Sequence, residues 1–203
     1  MATVSRLNGF KPVKSINGSP YTGQANVYFV PSSDSTVIMV GDLVKLLGSA
    51  RDATGVPTVT RAAASDPVVG VVVGILFSGV GDVQNVPPVT DLNTPVYRRA
   101  STERYLLVAD DPNLILEGQL SAAGSYTAAD MSLNTNFRAT AGSTTSGASG
   151  FDVDISTKAT TATLPLKLVG VPNRPDNNVG DSFLNVYVLI NNHQLKGTGV
   201  LGV

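Results

Sequence analysis

The sequence predicts an all-β fold, either a sandwich or a barrel, and three observations predict it. Short runs of Val, Leu, Ile and Tyr recur along the 203 residues, separated by turn clusters that draw on 20 glycines and 12 prolines. Several runs alternate apolar and polar residues with the two-residue period of a strand. Only one short segment carries a helix signal, so helical layers are not expected.

Residues 1–24 are rich in Gly, Pro, Asn, Ser and Thr, with isolated apolar residues at Val4, Leu7, Phe10, Val13 and Ile16. The three-residue spacing would suit a helix face, but Gly9 and Pro12 interrupt it. An extended N-terminal arm is the expectation, followed by a body over 25–193 and a glycine-loosened tail over 194–203. Asn17-Gly18 is a tight-turn dipeptide. The first clear strand is Asn26 to Val30, closed by Pro31. Thr36 to Val40 and Leu43 to Leu47 follow, with Gly41-Asp42 as the turn between them and a polar loop at Arg51 to Gly55. Val56 to Arg61 alternates Val and Thr as a strand does.

Val68 to Phe77 is apolar at nearly every residue, which predicts a strand covered on both faces. Its glycines, Gly70 and Gly74, predict a bulge or a close backbone approach. A long Gly/Pro loop over Ser78 to Pro95 comes next, and ordered loops of that length usually serve a function. Val96 to Arg99, Arg104 to Ala109 and Leu114 to Leu120 read as strands, the last two joined by a turn at Asp110-Asp111-Pro112-Asn113. Thr127 is placed to cap one helical turn running to Met131. The Gly/Ser/Thr stretch at 139–150 reads as an exposed loop. Phe151 to Ile155, Leu164 to Val171 and Phe183 to Ile190 complete the strands, with turn formers filling Pro172 to Asp181.

Composition excludes several functions. The chain has no cysteine, no tryptophan and one histidine, His193, whereas acid-base and nucleophilic catalysis lean on His, Cys and perturbed carboxylates or lysines. Non-enzymatic function is expected. A net charge of -1 supplies no global field for nucleic acid or an anionic membrane. The longest apolar run, Pro67 to Phe77, is about 11 residues, well short of the ~20 that a spanning helix needs. No signal-peptide pattern opens the chain. Charged residues make up 14%, below the roughly 25% of ordinary soluble domains, which leaves a surface suited to lateral protein contact.

Candidate sites follow from residue chemistry. Asp110 and Asp111, with Glu103 and Glu117 near in sequence, could hold a cation or share a proton, but an Asp-Asp-Pro-Asn run between strands reads first as a β-turn. Asp152 and Asp154 share one face of their strand, which reads as the solvated face, opposite Val153 and Ile155. Tyr97, Arg98, Arg99, Arg104 and Tyr105 form the densest basic and aromatic group; without a wider basic field they suit an inter-subunit contact better than nucleic acid. His193 has no partner histidine for a metal pair and no G-x-S-x-G serine, and is expected in solvent. No phosphate-binding glycine motif is present, so no cofactor is expected.

Several segments together carry a resemblance: Gly9 to Val13, Asn17-Gly18, Pro20-Tyr21, Gly41-Asp42, Val71 to Gly74, Arg99 to Arg104, Val108 to Asn113 and Asn173 to Asn177. With them the chain resembles a family of tailed-bacteriophage head decoration, or cement, proteins, end to end, the ADDPN and NRPDN segments being the most specific. The resemblance implies a jelly-roll-like β-sandwich on the outer capsid surface of the virion, made in the host cytoplasm and bridging subunits of the major capsid protein. The expected assembly is a homotrimer at local three-fold positions, a dimer ranking second, because closed symmetric oligomers match the symmetry of the joint. Val4, Leu7, Phe10, Val200 and Leu201 are the expected contacts to a neighbour or the shell. Two other classes stay open: a tail, neck or fibre-associated structural protein with a carbohydrate-binding face, and a hydrolase using Asp110 and Asp111.

Overall fold

The computed structural model describes residues 5–6, 8–76, 95–121 and 126–196. Within them the fold is all-β, with several sheets, as the sequence predicts. A five-stranded closed barrel contains β2 (Asn26–Val30), β4 (Leu43–Ala50), β5 (Pro57–Arg61), β6 (Gly70–Leu76) and β8 (Arg104–Ala109), in the order β2-β5-β4-β6-β8. A six-stranded antiparallel sheet contains β1 (Lys11–Ser15), β9 (Leu114–Gln119), β10 (Asn134–Ser143), β11 (Ala148–Ala159), β12 (Leu166–Gly170) and β13 (Asn185–Ile190), in the order β1-β9-β13-β12-β10-β11. A bridge from Leu120 to Val153 brings β11 back towards the end of β9, so this sheet also curls towards closure. The two-residue strands β3 (Ile38–Met39) and β7 (Tyr97–Arg98) pair with each other. No helix among the described residues is long and apolar enough to cross a membrane.

The fully apolar runs serve two cores at once. Leu43, Val68, Val71 and Ala109 face the sheet, packing with Leu116, Phe137, Phe151, Val153, Leu166 and Val188. Their neighbours Val44, Val69, Val72 and Val108 face the barrel interior with Val30, Val59 and Leu106. Strict alternation across a strand makes this division, and it explains why no polar face shows in the sequence. The barrel wall is thus covered on both sides.

Both glycine expectations for this run hold. A Cβ at Gly70 would lie 2.3 Å from the Ala109 carbonyl oxygen, so the backbones approach as only glycine allows. The register of β6 against β8 shifts between Val72 and Gly74, which is the bulge. Thr127 accepts its expected place before a 3-10 turn at Ala128–Asp130, its amide and hydroxyl donating to Asp130 at 2.8 and 2.9 Å.

Two organisational expectations are corrected. Part of the segment read as a free arm is body: β1 pairs with β9, and Phe10 is 1% exposed in the chain's own core. Gly9 makes this entry fit, since a Cβ there would lie 2.4 Å from the Gly41 oxygen and its φ is +67°, while the Phe10 amide donates to Gly41 at 2.9 Å. Likewise most of 139–150 is strand, only 144–147 forming a largely exposed turn. The strand residues form facing ends of β10 and β11, paired from Ala139–Phe151 to Ser143–Ala148. The long Ser78 to Pro95 loop lies outside the described residues except for Pro95.

Candidate functional site

The basic and aromatic group at 97–105 sits at one end of the barrel, and its centre is internal. Arg98 is fully buried. Its Nε donates to Thr102 O at 2.9 Å, its Nη2 to Pro31 O at 2.8 Å and Asp34 O at 2.7 Å, and its Nη1 to Thr36 O, with the Asp34 carboxylate 3.6 Å away. One guanidinium thus fixes the loops on either side of it, using the planar fork that only arginine has. Burial alone would raise the Asp34 carboxyl, but hydrogen bonds from Thr36 and Thr60 and the Arg98 charge hold it below the usual carboxylate range. The expectation that Arg98 contacts a neighbouring subunit is therefore corrected. Tyr97 is half-buried against the barrel core. Arg99 is exposed, and Arg104 is half-buried with its Nη1 donating to Glu103 O at 2.8 Å. Arg51, which the sequence placed in a plain loop, lies over the rings of Phe29 and Tyr105 at 4.9 and 5.4 Å and donates to the Tyr105 hydroxyl.

The Asp110–Asn113 turn joins β8 of the barrel to β9 of the sheet. Asp111 Oδ1 accepts from the Asn113 amide at 2.9 Å, as the turn reading requires. Asp110 accepts from Asn26 Nδ2 at 3.0 Å and from the Tyr28 hydroxyl at 2.7 Å. Burial, with Asp110 alongside, pushes the Tyr28 phenol up. Both carboxylates thus have structural work at the joint.

Asp42 and Arg61 stitch the same joint, and a further ion pair lies within the sheet. Asp42 Oδ1 accepts from Ser149 Oγ at 2.5 Å, its Oδ2 from the Met39 amide at 3.0 Å, and Arg61 lies 3.5 Å away. Burial pushes the Asp42 carboxyl up against these partners. Arg61 also donates to Ala139 O at 3.0 Å and lies 4.8 Å from the Phe151 ring centroid. Asp152, expected in solvent, is fully buried. It takes a two-pronged ion pair from Arg138, whose Nε donates at 2.8 Å. Its register partner on β10 is that same arginine, which the spacing within β11 could not reveal.

His193 is also buried, contrary to expectation. It bridges Val68 across the joint: Val68 N donates to Asn192 O at 3.0 Å, and Gln194 N to Val68 O at 3.0 Å. Nδ1 accepts from the Leu195 amide at 3.1 Å, which leaves the proton of the neutral ring on Nε2. Nε2 is buried with no well-formed hydrogen bond among the described residues, although Asp110 lies nearby. Burial holds the ring below the usual histidine value, outweighing the pull of Asp110. Because the folded pKa is lowered, the unfolded chain takes the proton first, and stability falls as pH drops below about 6.5. Urea unfolding at pH 7.5 and 5.5 should show that loss in the wild type and less of it in His193→Gln. Equal losses would contradict it; Asp42, whose shift has the opposite sign, cancels in the comparison.

A cleft of about 310 Å³ opens beside the turn, lined by Ser15, Asn17, Ser19, Tyr21, Gln24 and Asp111. The sequence signalled only its Asn17-Gly18 turn; Tyr21 and Gln24 join it because the chain folds back after β1, with the Tyr21 amide on Val13 O at 3.0 Å. No group of three or more His, Asp or Glu suited to a metal occurs among the described residues. Val4, Leu7, Val200 and Leu201 lie outside the described residues. No protein-family model, curated protein or solved structure matches the chain.

Proposed function

We propose that this chain is a virion structural protein that decorates the outside of a tailed-phage head and cements neighbouring subunits of the major capsid protein. The supporting observation is that the side chains best suited to chemistry are all tied into the fold, Asp110 and His193 at the joint, Arg98 between loops and Asp152 across the β10–β11 ladder, which leaves surface matching as the work. The segments that carry the family resemblance are structural in the same way. ADDPN makes the barrel-to-sheet turn, and in NRPDN the buried Asn177 side chain donates to Pro172 O and Asn185 O, both at 3.0 Å. Cement binds the assembled lattice and not its separate parts, so it stabilises the lattice by mass action. The jelly-roll-like form with terminal arms, the homotrimer at local three-folds, with a dimer second, and synthesis in the host cytoplasm belong to the same proposal. Co-sedimentation of purified protein with heads stripped of it tests the function. The protein should pellet with heads and not with unassembled capsid subunits; protein left in the supernatant would overturn the proposal.

The Tyr21 cleft favours a second reading, a tail- or fibre-associated protein that binds carbohydrate. An aromatic wall beside amide, hydroxyl and carboxylate groups suits a sugar ring, and the cleft's size falls at the small end of ligand sites. Binding to a glycan array, without binding to heads, would select it.

A further inference from the structure

The outward face of the six-stranded sheet gathers cations that the sequence scatters. Opposed residues in an antiparallel ladder share a face. Leu116, Val186, Val188, Leu166 and Leu168 point into the core, so Ile115, Glu117, Tyr187, Leu189 and Lys167 point out. Lys11 lies opposite Glu117 and Lys14 opposite Ile115. Three residues apart on a regular strand, these lysines would take opposite faces; the register shift between Pro12 and Lys14 places both on the outer one. Lys167 lies opposite Leu189 on the far side of the same face. Arg6 reaches it too, its amide donating to Gln119 Oε1 at 2.7 Å. At the centre stands Tyr187, opposite Gly170, with the Lys14 ammonium 5.7 Å from its ring centroid.

Charge balance sets this face apart. Seven ion pairs across the described residues engage Lys45, Arg51, Arg61, Arg98, Arg138, Lys158 and Arg174. Lys11 and Lys14, side by side on this face, have no ion-pair partner among the described residues, nor does Arg6, whose backbone lies at its edge; Arg99, Arg104 and Lys196 are also without one but lie elsewhere, away from this aromatic centre. The acidic residues that share this face are engaged: Glu117 by Arg174 through two 2.7 Å hydrogen bonds, and, on β11 at the far edge, Asp152 by Arg138 with Asp154 alongside that arginine. Asp176, close to Arg174, and Asp111, near Ser15, are the carboxylates at its rim. A chain of net charge -1 thus carries a local cationic field around Tyr187, and a field of one sign steers and orients a partner of the opposite sign.

We propose that this face docks a carboxylate-rich protein surface; resting on the function proposed above, that surface belongs to the capsid shell. The probe is immobilised poly-L-glutamate, with heparin and phosphatidylserine vesicles as the competing sources of negative charge, and the full chain is used throughout. Wild type should bind poly-glutamate at about 20 mM salt and be released by about 0.2 M, where screening shortens the field to under ~10 Å. The variant Lys11→Gln/Lys14→Gln/Lys167→Gln should bind at least about tenfold more weakly, while Arg99→Gln/Arg104→Gln, at the barrel end, should match wild type. Lys14→Gln alone serves if the triple variant unfolds. Equal loss in both sets, or stronger binding to heparin or vesicles than to poly-glutamate, would overturn the docking face. Head binding separates the two proposals. Heads that bind wild type and triple variant equally refute the face and leave the function, whereas poly-glutamate binding through the face without head binding refutes the function.

Discussion

Arg98→Met should lower the free energy of unfolding by about 3–5 kcal/mol, the cost of breaking a buried ionic network by removing one partner. The side chain is fully buried and is the donor for four backbone carbonyls, those of Thr102, Pro31, Asp34 and Thr36. Methionine fills much of the volume and satisfies none of them. It also leaves the Asp34 carboxylate without its counter-charge in a site where that side chain is 8% exposed. Arg98→Lys keeps the charge but places one ammonium where a fork is needed, so it should recover only part of the loss. Urea denaturation of the three proteins measures this. A loss under about 1 kcal/mol for Arg98→Met, the size of a surface ion pair, would contradict the structural role.

Gly70→Ala should cost about 2–4 kcal/mol through overpacking, at or above the usual upper end because backbone has to move. The added methyl would sit 2.3 Å from Ala109 O and 2.8 Å from Val108 Cγ1. Relief requires β6 and β8 to separate where the barrel wall is covered on both sides. Gly74→Ala, on the same strand, is the control. Its nearest contact is Leu107 Cδ1 at 3.1 Å, the end of a side chain that can turn aside, and its cost should stay within about 1 kcal/mol. Equal costs at the two positions would show that the close approach at Gly70 is not what sets its identity.

What the sequence could reveal follows from the range of the forces involved. The Val-rich runs, Gly70 and Gly74, the Asp110–Asn113 turn and the Thr127 cap are local signals, and each has its expected structure. β1 was hidden because Lys11–Ser15 has no alternating pattern of its own and is held by β9, about a hundred residues away. The β10–β11 ends were hidden because backbone pairing needs no particular side chains, so Gly/Ser/Thr residues that suit a loop can also form a ladder. Asp152 and His193 looked solvated because their partners, Arg138 on the next strand and Val68 in the barrel, are set by topology. Arg98 beside Tyr97 looked like an interface pair for the same reason. The lysine face could not be read either, since a single bulge decides that Lys11 and Lys14 point the same way.

Electron cryomicroscopy of stripped heads, with and without added protein, tests passive cementing most directly. The added protein should appear as ordered density on the outer surface, seated over joints between capsid subunits in symmetric clusters. Heads that look identical with and without it, under conditions where the protein is folded and in excess, would contradict the proposed function.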